Sequence, residues 1–118
     1  MKQPRQRDEK HLQFLRSLPC LVCQNNISTE AAHIRMSDAS VGKFNPGVGA
    51  KPSDMYAVPL CGDCHREQHA VGNERRYWEG KGIDPIEIAK QLYAVSGDHE
   101  AGCRIVMNAR PINIMAAK

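Results

Sequence analysis

The chain has 118 residues, 42% of them hydrophobic, and a formal net charge of +3. That length accommodates one domain and excludes two of ordinary size, while the charge is compatible with nucleic acid but too mild to argue for it. Two Phe, one Trp and three Tyr leave few large side chains for a core, a shortage that a structural metal would offset.

Residues 8–18 read as a helix, with Leu12, Phe14, Leu15 and Leu18 near helical spacing and Pro19 as its stop. A short knuckle, Pro19-Cys20-Leu21-Val22-Cys23, follows, and Asn25-Asn26 offers a turn. Residues 27–35 form an expected strand. Residues 36–54 are rich in Gly, Pro, Ser and Asn and carry Lys43 and Lys51; a structureless stretch this long in a small domain is usually functional or mobile. Residues 55–60 read as a second strand that pairs with the first. A second knuckle, Cys61-Gly62-Asp63-Cys64, opens a helix through His69, which Gly72-Asn73 breaks before a helical piece at 74–79. Asp84-Pro85-Ile86-Glu87 has the form of a capping box with proline at the first helical position. The helix it starts carries Ile88, Ala89, Leu92 and Tyr93 on one face and ends by Gly97. Residues 98–118 show no clear period, and no element is assigned there. The pattern is that of a single α+β domain, with a core at about 18–80 and helices at about 8–18 and 85–96.

No stretch approaches the roughly 18 apolar residues of a membrane span, and MKQPRQRDEK at the start has no apolar segment behind it. The expected location is the cytoplasm. There, closely paired cysteines mean metal more often than disulfides. Cys20-x-x-Cys23 and Cys61-x-x-Cys64 supply four soft ligands, the set of a tetrahedral structural zinc. Cys61-Gly-Asp-Cys64-His65 also has the spelling of a c-type haem attachment site, but that reading needs export and leaves Cys20, Cys23 and His69 without a purpose. Cys103 reads as a small buried apolar residue. A plain zinc ribbon separates its pairs by roughly 15–20 residues; here residues 24–60 intervene, enough for a strand–loop–strand insertion.

His65 and His69, four apart, project from one helix face and are able to share a metal. A solvated polar face, or one histidine joining the zinc site, are the other readings. His33 lies on the first strand of the insertion, which the zinc would clamp against the helix start so that His33 faces the pair. Such an arrangement suits phosphodiester hydrolysis. A metal polarises the phosphate, and an imidazole, whose ordinary pKa is near neutrality, takes a proton from water.

Cys20-Leu-Val-Cys23, Ala31-Ala-His33-Ile34-Arg35 and Val58-Pro-Leu-Cys61-Gly-Asp-Cys64-His65-Arg-Glu-Gln-His69, in that order, resemble the HNH (His-Me finger, ββα-metal) endonucleases. The stretch from Gly47 through Lys51-Pro-Ser-Asp54 to Trp78 is similar to their small phage and bacterial branch, which includes the Ref recombination nuclease. The resemblance implies a zinc-stapled ββα-metal core in a bacterial or phage-encoded protein that hydrolyses DNA. His33 would be the general base. His65 and His69 would hold one catalytic divalent ion, Mg²⁺, Mn²⁺, Ni²⁺ or Zn²⁺. Cys20, Cys23, Cys61 and Cys64 would hold the structural zinc, with Cys64 the ligand that varies in this branch. Many members carry Asp or a second His immediately before the base. This chain has Ala32, so the ion would rely on the two histidines, water, substrate phosphate and Asp54. Arg35, Lys43, Lys51 and Arg66 suit contacts to the phosphates of double-stranded DNA without sequence readout. No membrane is expected as a partner, and no protein partner is indicated. The other functional reading is a zinc-stabilised DNA-binding module without catalysis.

Overall fold

Helix starts in this chain are set by short polar side chains that accept the orphan N–H groups of the first turn. In the computed structural model, which describes residues 8–36 and 53–109, Asp8 caps α1 (Glu9–Arg16) by accepting from the His11 N–H. Asn73 caps α3 (Glu74–Lys81) in the same way, through the Arg76 N–H. Asp84 caps α4 (Pro85–Ala94) through the N–H groups of Ile86 and Glu87, with Pro85 at a position where a missing donor costs nothing. The exception is α2 (Gly62–Val71), whose cap is a sulfur: Cys61 Sγ accepts from the Cys64 N–H at 3.4 Å. Gly72, at φ 79°, ends that helix in the left-handed conformation, which glycine reaches without a side-chain clash.

The two strands, β1 (Thr29–His33) and β2 (Ala57–Cys61), pair antiparallel with Thr29 opposite Cys61 and His33 opposite Ala57. Every residue of β2 is buried, because α1, α2 and α4 all pack against it. The chain before β1 is tied to the same strand: the Leu21 N–H donates to Pro59 O at 2.8 Å. Leu15, Leu18, Leu21, Leu60 and Leu92 are all fully buried. Each is worth roughly 1.5–3 kcal/mol in apolar burial, so an aliphatic core stands in for the scarce aromatics. Trp78 on α3 is the largest side chain fully buried.

Two expectations are corrected. Residues 99–107 are a helix, α5 (His99–Met107), capped by Asp98 accepting from the Ala101 N–H. Its buried residues are Gly102 and Val106, and the first of them has no side chain to mark an apolar face. A methyl there would stand 2.8 Å from Phe14 Cζ and 3.0 Å from Leu18 Cδ2, so the absence of a side chain is what lets the helices meet. Cys103, on the same helix, is half-buried rather than buried, its sulfur 3.8 Å from the ring nitrogens of His99. Lys43 and Lys51 lie outside the described residues, as does all of the expected 36–54 loop except its ends. Among the described residues, no helix is long and apolar enough to cross a membrane.

Candidate metal centre and active site

The two cysteine pairs are built alike. In each, the sulfur of the first cysteine accepts the backbone N–H of the second: Cys23 N–H to Cys20 Sγ at 3.5 Å, Cys64 N–H to Cys61 Sγ at 3.4 Å. The first pair sits in a turn closed by bonds from Gln24 N–H to Cys20 O and from Cys20 N–H to Asn25 O, both 2.8 Å, with Gln24 at φ 65°. The second straddles the junction of β2 and α2. Pairing of the strands brings the turns together, and all four sulfurs lie within 4.8 Å of one another.

A tetrahedron with metal–sulfur bonds of about 2.3 Å has edges of about 3.8 Å; Cys23 Sγ and Cys61 Sγ are 3.7 Å apart. No disulfide joins these cysteines. The set fits a zinc ion, and these four residues could hold one. Protonation favours the same use. Burial opposes a charge on Cys20, but backbone N–H groups of Cys23, Cys61 and Val22 outweigh it and bring the thiol down to about 7. Burial raises the thiols of Cys23 and Cys64; the Asn25 N–H partly opposes the rise on Cys23, and the neighbouring sulfurs add to it on Cys64. Four thiols this close are poorly matched to each other without a cation between them.

The histidines fall into two groups. His65 and His69, one turn apart on α2, have ring centroids 4.9 Å apart. Glu30 on β1 accepts from His65 Nδ1–H at 2.7 Å. Among the described residues, His69 makes no side-chain hydrogen bond. His33, the last residue of β1, donates Nε2–H to Asp54 Oδ1 at 2.8 Å. Asp54 is only 3% exposed, and its other oxygen accepts the Asp8 N–H at 2.7 Å. Asp8 also accepts from Tyr93 Oη at 3.3 Å, which links the His33 cluster to α1 and α4. Successive strand residues face opposite sides, so Glu30 and Ala32 share one face of β1 and His33 belongs to the other. Among the described residues, no hydrogen bond or ring contact joins His33 to His65 or His69.

Arg35 is exposed next to His33, its backbone N–H bonded to Glu74 Oε1 at 3.0 Å. Arg66, on α2, is paired with Asp63. Three participants are not singled out by sequence reasoning. Glu30 is within its reach, since strand parity puts it on Ala32's face. Asp8 and Tyr93 carry no comparable signal, because their contacts join positions far apart in the chain.

Comparison with known proteins adds a family but no activity. Among curated proteins and among solved structures, none matches the chain. The family DUF968, described as a protein of unknown function, matches residues 1–96. That is well over half of the 118 residues, and the chain therefore belongs to the DUF968 family.

Proposed function

We propose that this chain is a metal-dependent DNA endonuclease of the HNH (His-Me finger, ββα-metal) type, with a structural zinc on its four clustered cysteines. The observation that carries the reading is the His33–Asp54 pair. A carboxylate only accepts hydrogen bonds, so the 2.8 Å contact puts a proton on Nε2, and in the neutral ring Nδ1 then keeps its lone pair. Among the described residues, Nδ1 has no partner. A buried carboxylate that fixes the tautomer and orientation of an imidazole is the arrangement a general base requires. The strand–strand–helix order, with the sulfur cluster at the junction of β2 and α2, and the adjacent rings of His65 and His69 support the same reading.

In this mechanism His33 Nδ1 accepts a proton from the attacking water, while Asp54 holds the ring and stabilises the imidazolium that forms. His65 and His69 would hold a divalent ion, whose chemistry would be charge stabilisation at the scissile phosphate and the departing 3′ oxygen. Arg35 and Arg66 offer cations to flanking phosphates. The products carry 5′-phosphate and 3′-hydroxyl ends. Two nitrogen ligands favour Mn²⁺ or Ni²⁺ at least as much as Mg²⁺.

Plasmid cleavage with each of these ions tests the reading. His33→Ala is expected to slow cleavage by about 10²-fold or more with zinc content unchanged, and equal rates for the two proteins would refute the role. One observation favours a second reading, a zinc-stabilised DNA-binding module: Ala32, which is 1% exposed, supplies no ligand where many HNH members carry one. That reading expects salt-sensitive DNA binding and no turnover with any ion.

A further inference from the structure

We propose that Glu30 is a positioning residue for the His65/His69 metal site: it holds His65 as the Nδ1–H tautomer and so keeps Nε2 open for the ion. This inference rests on reading His65 and His69 as metal ligands. Glu30 Oε1 lies 2.7 Å from His65 Nδ1, and a carboxylate in that place requires the proton on Nδ1. A free neutral imidazole side chain prefers the proton on Nε2, the tautomer that would leave the wrong nitrogen for a ligand on this side. A metal-bound histidine commonly donates its other N–H to a carboxylate, which fixes the ring and raises its basicity.

Geometry separates this role from direct ligation. Among the described residues, the four cysteines are the only group of three or more potential ligands whose donor atoms converge within 4.8 Å; Glu30, His65 and His69 do not. Glu30 shares a strand face with Ala32, so it stands behind the helix pair, two residues from the apolar position. The pair does not explain itself as a stabilising contact. The Glu30 side chain is 51% exposed, and exposed ion pairs contribute little to folding. Its consequence lies in which nitrogen of His65 faces outward.

The test uses the full chain with zinc on its cysteines. Nitrogen-15 correlation spectra at pH 8 read the His65 tautomer, and Mn²⁺ titration followed by electron paramagnetic resonance reads affinity at the second site. The wild type is expected to show Nδ1–H on His65, and Glu30→Ala to shift it toward Nε2–H. Mn²⁺ affinity should fall roughly 10–100-fold in Glu30→Ala but only a few-fold in Glu30→Gln, whose amide oxygen still accepts the hydrogen bond; melting should change little in either. An Nε2–H tautomer in the wild type overturns the proposal whatever the metal does. Equal losses in both variants would mean direct ligation, and no loss in Glu30→Ala would mean no role; each overturns it. Wild-type Mn²⁺ binding that survives His65→Ala and His69→Ala rejects the metal-site reading itself, and the proposal with it.

Discussion

At the Thr29/Cys61 end of the hairpin the sulfurs of Cys20, Cys23, Cys61 and Cys64 converge to within 4.8 Å of one another. At the His33/Ala57 end, roughly 13 Å away along the strands, a buried carboxylate finds its partners within the chain. Asp54 accepts from both the His33 ring and the Asp8 backbone, and Asp8 in turn accepts from the His11 N–H and from Tyr93. The first end could hold an ion between its four sulfurs. The second satisfies its carboxylates by itself and leaves one imidazole nitrogen outward. The contrast is between an end whose four sulfurs could take a cation from outside and an end whose imidazole is held by hydrogen bonds within the chain.

Removing the ion should produce the largest effect. Structural zinc contributes about 10–16 kcal/mol in small finger domains, comparable with the whole stability of a typical domain, about 5–15 kcal/mol. Stripping the protein with a strong chelator, or substituting Cys61→Ser, is expected to abolish bound zinc and the cooperative thermal transition together. Cys61 is the severer position, since its sulfur also caps α2; Cys23→Ser, at the exposed corner of the cluster, should cost less. Metal analysis beside a melting curve checks this. A metal-free protein melting at the temperature of the zinc form would break the contrast at its first end.

Asp54→Asn sharpens the other end. An amide has one accepting oxygen and one donating nitrogen, so it serves either the His33 ring or the Asp8 N–H as the carboxylate does, not both. The unserved donor is expected to cost about 1–3 kcal/mol, with zinc content unchanged. Cleavage should fall about 10²-fold, because the ring loses its fixed tautomer. Loss of zinc in this variant would show that the two ends are not separable.

Features made by residues close together in the chain are legible in the sequence alone. The paired cysteines, the leucine face of α1, the proline stop and the Asp84 cap each announce themselves within a few residues, and the observed elements begin and end close to those signals. Features made by distant parts of the chain are not. Nothing in the spelling around Gly102 says that its missing side chain is the contact with Phe14. Asp54 reads as a candidate ligand or substrate contact, yet its partnership with His33 spans 21 positions and depends on how residue 54 re-enters the fold. His11, one of several polar residues on α1, carries no signal of its own and is fully buried. There α1 turns that side toward α4, where Tyr93 lies across its ring at 4.7 Å and Ser96 Oγ meets Nδ1 at 2.7 Å.

That buried histidine gives the smallest effect and the finest test of the contrast. Burial lowers the His11 pKa from 6.5, and the nearby Asp8 and Asp54 only partly oppose it. The folded protein therefore keeps His11 neutral under conditions where the unfolded chain takes up a proton. Stability from this group is fully present above pH 6.5 and declines as pH falls below it, toward the lower folded-state value, with a slope no steeper than about 1.4 kcal/mol per pH unit. Among the described residues Nε2 has no partner, so removing the ring nitrogens gives up only the Ser96 bond, worth about 0.5–1.5 kcal/mol. His11→Phe, which keeps a ring against Tyr93, is expected to flatten the decline between pH 7.5 and 5.5 when both proteins are held in excess zinc. Excess zinc matters because thiolate sites also weaken in acid, and only then does the difference between the two curves belong to the hydrogen-bonded end. Parallel curves would mean that the acid sensitivity lies with the sulfurs, and that the polar end is indifferent to the proton its histidine refuses.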